Sequence, residues 1–324
     1  MYDSKIKTRR YKSLILGCGN IGALYDFEND QILTHAKAYS VHPNFEFNIF
    51  EPNTALAKKI SDAYHCPIVS DINVSILSGY DCVSICSPTK THHALLKQAF
   101  EAEVKVVICE KPVSNDSIAL NQLRGLYALS ESKVIVNYIR RFQPAFKALK
   151  KTIAVISQKD TLTNIAIRYQ RGFINNCSHA FDLIEYLTEQ PLLLSDINKH
   201  NSATDHFEED PTLSLQAFAG TINISVFGLS NVQFSHFEID LYFQQHKISI
   251  TEAGQTIRLY QAINNSVTAL SPLQQSDIQQ DNCLKDYMQP VVDQAWHLLR
   301  GEVKEDNFLQ AVNLNERMLH YLNN

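Results

Sequence analysis

The chain has 324 residues, 45% of them hydrophobic and 19% charged, and a formal charge of −5 at pH 7. That balance belongs to a folded globular protein long enough for two domains; it excludes a disordered chain and leaves no overall positive field to hold a nucleic acid. No stretch approaches the ~20 apolar residues of a membrane span, no signal-like leader is evident, and the seven scattered cysteines sit mostly in strand-like runs, so the sequence predicts a cytoplasmic protein with free thiols and no metal site.

The first strand-like run, LILGCGNIG (residues 14–22), ends in glycines at the spacing GxGxxG. At the head of a βαβ series this predicts a dinucleotide cradle. Gly17 allows a tight turn, Gly19 lets the backbone approach a pyrophosphate, and Gly22 lets the next helix pack closely, so that the phosphates meet the positive end of that helix. Asn20 and Ile21 complete the loop. The alternative is a bare turn from strand to helix. The second strand, FEFNIFE, ends in Glu51, which can accept hydrogen bonds from an adenosine ribose. Pro52 and Asn53 follow without a cation, and a carboxylate repels a 2′-phosphate, which favours NAD over NADP. Glu51 lies farther from Gly22 than the usual ~20 residues, and LYDFENDQILTH, residues 24–35, carries the surplus as a lid, a substrate loop or a plain surface loop. The alternative for Glu51 is a solvated acid at a strand end.

Helical runs at 53–65, 91–103 and 116–132 alternate with further short apolar strands. ICSPTKTHH closes what is counted as the fourth strand and sets Ser87, Pro88, Thr89 and His92 at the carboxyl edge, where open parallel sheets bind ligands. CEKPVS closes the fifth with Glu110, Lys111 and Pro112, and NYIRRFQP leaves the sixth with Tyr138, Arg140 and Arg141. Residues 1–137 are therefore expected to form a doubly wound parallel sheet of Rossmann type. Residues 138–324 read as an α+β domain with a large, mainly antiparallel sheet. It has helices at PAFKALKKTIAVI and NCSHAFDLIEYLTE and strands at TNIAIRYQR, TLSLQAFAG, INISVFG, HFEIDLYFQQHKISIT and TIRLYQAI. Two closing helices, 284–300 and 305–322, are expected to pack back. Arg168 and Arg171 join Arg140 and Arg141 as four guanidiniums near one cleft, a set suited to phosphate or carboxylate.

Taken in order, the glycine loop, the strand-end acid, SPTKTHH and EKP resemble the Gfo/Idh/MocA family of oxidoreductases, which includes glucose-fructose oxidoreductase and inositol dehydrogenases. The resemblance runs over essentially the whole chain. It implies that Lys111 lies beside the nicotinamide and the reacting carbon and exchanges the proton, chemistry that partial desolvation near a cationic ring would promote. The alternative is a lysine that only pairs with Glu110. The family's motif of Asp, three residues and His falls on Asn175 and His179, so an amide stands where the motif has a carboxylate. Any proton relay then rests on Lys111 with His179, or passes through Asp182 on the same helix; His179 as a packing residue and Asp182 as a structural partner are the alternatives. NYIRRF, NNCSH and the insertion also look like the branch of the family found with bacterial surface-sugar biosynthesis, which implies a nucleotide-linked or acidic sugar as substrate. Members often pair through the open second sheet, implying a homodimer or homotetramer. The expected chemistry is hydride transfer between the nicotinamide and a sugar carbinol or ketone; a dinucleotide-binding sensor without turnover is the competing reading.

Overall fold

The computed structural model describes residues 10–203, 207–263 and 271–323, with the backbone alone over 196–203. The chain divides into two compact units, Met1–Ile139 with Asp286–Val312 and Arg140–Lys285 with Asn313–Asn324.

In the first unit, β1 (Tyr11–Leu16), β2 (Phe45–Phe50), β3 (Cys82–Ile85), β4 (Val106–Cys109) and β5 (Lys133–Val136) form one parallel sheet in the order β2-β1-β3-β4-β5. β3 and β4 are buried at every position, as parallel strands enclosed by helices are. The helices between them are α1 (His35–Val41), α2 (Thr54–Tyr64), α3 (Val74–Leu77), α4 (His92–Glu101) and α5 (Ser117–Ala128). Asn53, Asn73 and Asp116 cap α2, α3 and α5 by accepting from first-turn N–H groups, which sets where each strand's loop turns into helix. With five strands in the sheet, the SPTKTHH, EKP and NYIRRF stretches follow its third, fourth and fifth strands rather than the fourth, fifth and sixth. The expected helix after the glycine loop is also corrected: only a single π-turn, Asn20–Leu24, follows it, and helix resumes at His35.

The second unit carries α6 (Pro144–Ile156), β6 (Leu162–Tyr169), α7 (Ser178–Thr188) and then β7 (Leu192–Ala203), β8 (Thr212–Ala219), β9 (Ile222–Gly228), β10 (Phe237–Phe243), β11 (His246–Thr251), β12 (Thr256–Ala262) and β13 (Leu273–Gln280). Its eight strands are ordered β13-β12-β11-β10-β6-β9-β8-β7, antiparallel throughout except for β6 against β9. Alternation decides the faces. Ile165, Ile167 and Tyr169 of β6, Ile224 and Val226 of β9 and Leu215 and Ala217 of β8 are buried, whereas Asn223, Ser225, Phe227 and Phe218 point to an open face. Sequence reasoning had not found β7 or β13, and it had joined β10 and β11 into one run that the structure folds into a hairpin with Tyr242 opposite Lys247.

The chain then continues through α8 (Gln289–Leu299) and α9 (Phe308–Asn323). Ahead of α9, Asp306 and Asn307 cover the edge of β5. Asp306 accepts from the Val134 N–H at 2.9 Å and the Tyr127 hydroxyl at 2.7 Å, and Asn307 both accepts from the Val136 N–H and donates to the Val136 carbonyl, at 2.8 and 2.9 Å. Two side chains thus replace the partner strand that a sheet edge otherwise lacks. Among the described residues no helix is long and apolar enough to cross a membrane.

Candidate functional site

Because all five strands of the first sheet run in one direction, the loops after their carboxyl ends share one edge, and the order places the switch point between β1 and β3. Gly17 to Gly22 follow β1, Glu51 follows β2, Cys86 to Thr91 follow β3, Glu110 to Pro112 follow β4 and Asn137 follows β5. The three glycines have distinct physical duties. Gly17 sits at φ +97°, and a Cβ there would press on the Ser87 backbone at 3.0 Å. At Gly22 a Cβ would fall onto the Gly17 carbonyl, so the turn closes only without one. Gly19, extended at φ −68° and ψ −158°, has nothing within 4 Å of the place a Cβ would take. That open space lies beside the first-turn N–H groups of Asn20 and Ile21, positions whose donors lack intrahelical acceptors. An anionic diphosphate fits such a cradle.

Glu51 is tied into the same loop. Its Oε2 accepts from the Cys18 N–H at 2.8 Å and its Oε1 from the Asn53 N–H at 2.9 Å. The carboxylate and burial together push the Cys18 thiol up to about 12, burial being the larger cause, so Cys18 is an inert neighbour. Ser87 and Thr91 share a hydrogen bond of 2.6 Å between hydroxyls, and Thr91 also donates to the Pro88 carbonyl at 2.8 Å; together they fix the Pro88–Thr89 turn. His92, expected at the cofactor, is 1% exposed and bridges two loops instead: Nε2 lies 2.8 Å from the Ser87 carbonyl and Nδ1 2.9 Å from the Pro112 carbonyl. Burial lowers its tendency to protonate against the pull of those two carbonyls. The Lys111–Pro112 peptide bond is cis.

The insertion 24–35 is pinned to its own unit. The buried Asp26 accepts from the Leu33 N–H, the Thr34 N–H at 2.8 Å and the Thr34 hydroxyl at 2.8 Å, and Asp286 accepts from the Ile32 N–H at 2.9 Å. Phe27 lies under Lys59 and edge-on to Tyr64 of α2. The strap ends by setting His35, 0% exposed, 3.0 Å from Oε1 of Glu110, which also accepts from Asn137 Nδ2 at 2.6 Å. His35, Asn137 and Asp26 were not found by sequence reasoning; the only signal was that the insertion stops where helix resumes at a histidine.

In the second unit, Gly172 at φ +89° turns the chain into the π-turn Phe173–Cys177 that precedes α7. Asp210 caps that turn, accepting from the Ile174 N–H at 2.7 Å and the Asn175 N–H at 2.8 Å. The Asn175 side-chain amide donates to the Arg171 carbonyl at 3.1 Å, a bond an ionised aspartate could not make, so the departure from the family motif has a local reason and the turn's carboxylate comes from Asp210. His179 is half-buried in the first turn of α7.

The arginine cluster is corrected. Arg141 grips Asp182 through Nε and Nη2 at 3.0 Å each, and both residues are buried. Burial pushes the Asp182 carboxyl up to about 6 against the pull of Arg141. Asp182 therefore anchors Arg141, and a relay through it would break a buried fork-shaped pair. Arg140 donates to the Ala253 carbonyl at 2.8 Å and lies 3.8 Å over the Phe237 ring, with burial lowering its pKa to about 9. Arg168 pairs with Glu238 and Asp240 at 2.9 and 3.0 Å. Three of the four guanidiniums are thus engaged by this chain's own acceptors, and Arg171 is exposed at φ +69°. Tyr138, expected at the substrate, is a core residue at 2% exposure. All seven cysteines are free, and among the described residues no group of three or more His, Cys, Asp or Glu stands ready for a metal.

A glycine cradle, a strand-end acid and an EKP turn on one edge of a parallel sheet, in a chain that also carries an open antiparallel sheet, define a dinucleotide-binding protein of Rossmann type. Residues 11–138 match the model of the Gfo/Idh/MocA family, an oxidoreductase family with an NAD-binding Rossmann fold. Inositol 2-dehydrogenase of Rhizobium meliloti is 30% identical over 140 residues, 43% of this chain and 39% of that protein. UDP-N-acetylglucosamine 3-dehydrogenase of Acidithiobacillus ferrooxidans is 26% identical over 137 residues, 42% of this chain and 40% of that protein. The matched stretches thus span about two fifths of those relatives' length. A solved structure of the Acidithiobacillus enzyme aligns with a TM-score of 0.70 at 17% identity, covering 97% of this chain and 95% of that one. An oxidoreductase from Agrobacterium radiobacter, solved in complex with NAD+, L-tartaric acid and magnesium, aligns with 0.71 at 14% identity over 97% and 94%. The fold is shared with these two solved structures.

Proposed function

We propose that the protein is an NAD(H)-dependent oxidoreductase that moves hydride between C4 of the nicotinamide and a carbinol or ketone carbon of a sugar, with NADP a poorer cofactor. The observation that carries this reading is the convergence of the open Gly19 cradle, the Glu51 carboxylate and the Lys111 turn on one edge of the first sheet. Glu51, held by the Cys18 and Asn53 N–H groups, keeps lone pairs for ribose hydroxyls and repels a 2′-phosphate. Asn20, Ile21, Ser87, Pro88 and Thr89 border the cofactor, and His92 acts on it through the two loops it bridges. Bound nicotinamide supplies the hydride chemistry. Lys111 takes up or returns the hydroxyl proton, and His179 with Asn175 holds the substrate oxygen.

The substrate reading is a nucleotide-linked or acidic sugar of surface polysaccharide biosynthesis. The UDP-N-acetylglucosamine dehydrogenase relative supports the nucleotide-linked form. Arg140, Arg141 and Arg168 lend it little, because each guanidinium already binds an acceptor within the chain. A homodimer or homotetramer through the open sheet is part of the same reading. The test is nicotinamide absorbance with NAD+ or NADH and a panel of cyclitols, nucleotide sugars and acidic sugars, beside Lys111→Met. A change present in wild type and lost in the variant is expected; bound cofactor and sugar with flat absorbance would move the sensor reading ahead.

A further inference from the structure

Helix covers the second sheet only in part. Between the C-terminal half of α6 and strands β11, β12 and β13 lies a cleft of about 610 Å³, and every residue bordering it belongs to the second unit. That volume is of the size that holds a small molecule. Its walls are aliphatic, built from Val155 and Ile156 of α6, Leu259 of β12 and Ile278 of β13, and Val155 and Ile278 are 65% and 48% exposed. The edge strand bulges there: Ser276 to Ile278 stand against Leu259 alone, and the Ser276 hydroxyl accepts from the Ile278 N–H at 3.1 Å. Lys151 and His246 supply cationic groups to the same border. His246 Nδ1 lies 2.7 Å from the Asp160 carboxylate, which also accepts from the Gln245 N–H at 3.0 Å and is 7% exposed. A carboxylate only accepts, so Nδ1 carries the proton, and Nε2 has no partner among the described residues. Burial pushes the Asp160 carboxyl up, but the His246 bond and the Gln245 N–H outweigh it and hold it below the ordinary 3.8. An ionised acid behind an imidazole stabilises the ring's protonated form when an anion meets its far nitrogen. Lys151 is exposed and enters no ion pair among the described residues.

We propose that this cleft is a second ligand site and takes a small aliphatic monocarboxylate, its chain against Val155, Ile156, Leu259 and Ile278 and its carboxylate between the Lys151 ammonium and His246 Nε2. The occupant is a free acid in solution. Among the described residues no aromatic side chain borders the cleft, so a nucleotide base or a sugar face finds nothing there to stack on. Asp277, also on the border, repels a second negative charge and selects against phosphates and dicarboxylates. The site stands apart from the hydride chemistry proposed above and does not depend on it.

The test is isothermal titration of the full chain with sodium octanoate, which should bind one per chain with a Kd below about 1 mM. Hexanoate, with two methylenes fewer to bury, should bind roughly tenfold more weakly. Octan-1-ol, which lacks the charge, and suberate, which doubles it, should each bind about tenfold more weakly or worse. Lys151→Met and Ile278→Asp change exposed side chains and should each weaken octanoate about tenfold at an unchanged melting temperature. His246→Asn, whose amide can still donate to Asp160 from near the place of Nδ1 but offers nothing at Nε2, should weaken it as much. Asp277→Asn should bind at least as tightly as wild type. No saturable binding at about 10 mM octanoate, binding that octan-1-ol matches, or binding undiminished in Lys151→Met or Ile278→Asp overturns the proposal. An oligomer that Ile278→Asp dissociates, in a protein that takes up no octanoate, assigns the cleft to a second copy of the chain and overturns it too.

Discussion

Two glycines of one loop make the sharpest contrast among the residues. Gly22→Ala would drive a methyl into the Gly17 carbonyl, backbone against backbone with no side chain to yield, and should cost about 2 kcal/mol or more by chemical denaturation while abolishing NAD+ binding. Gly19→Ala meets nothing within 4 Å at an ordinary φ, so the melting temperature should hold or rise slightly while NAD+ titration weakens. A parallel loss of stability in both would deny that the cradle is a ligand space. Asp182→Ala strands the buried Arg141 guanidinium and should lower stability by about 3–5 kcal/mol, measured in urea. These residues show what sequence can and cannot reveal. The glycine spacing carries its own geometry, so the roles of Gly17 and Gly22 were legible. The pairing of Arg141 with Asp182 was not, because residues 41 apart in the chain meet only through the packing of α6 and α7. His35 was hidden for a similar reason, lying beyond an insertion that breaks the usual spacing from the glycines.

At the level of elements, the strap 24–35 depends on one buried carboxylate. Asp26→Ala removes the acceptor for two N–H groups and a hydroxyl and should cost about 3 kcal/mol, with new protease cleavage between residues 24 and 34. Resistance to cleavage in that variant would mean the strap is held by Phe27 and Asp286 instead. The open face of the second sheet carries a different device. Burial pushes Asp240 up, but the Ser249 hydroxyl, Lys247 and Arg168 outweigh it and hold its carboxyl below the ordinary 3.8. A carboxyl depressed in the folded state contributes stability above its unfolded pKa and loses that contribution as pH falls through the folded one. Acid unfolding should therefore begin at higher pH in Lys247→Met than in wild type, followed by circular dichroism. The elements missed in the sequence share one property. β13, LQQSDIQQ, is polar on both faces because it is an exposed edge, and without alternation there is no period to read. The β10–β11 hairpin turns at Gln244 and Gln245, which lack the glycine or asparagine that marks a tight turn.

For the whole molecule, the two-layer plan of a parallel sheet followed by an antiparallel one was legible, since β-rich runs alternate with helices up to residue 139 and with one another beyond 212. The same open face displays Leu193, Phe218 and Phe227 at 60%, 38% and 57% exposure on neighbouring strands, an apolar surface of the kind that pairs subunits. Sedimentation should give a multiple of 36.8 kDa that falls to the monomer in Phe218→Asp, Phe227→Asp. A wild-type monomer across concentrations would end the oligomer reading. The cover on β5 has a bearing on how the protein is made. Its Asn307 reaches the ribosome exit 171 residues after Val136, an interval of about 10–30 s at ordinary synthesis rates. For that time the nascent sheet carries a bare edge, ready to pair with any strand that passes. The chain is thus most exposed to misassembly while it is being translated, and a message truncated before codon 306 should yield inclusion bodies rather than a working nucleotide-binding half.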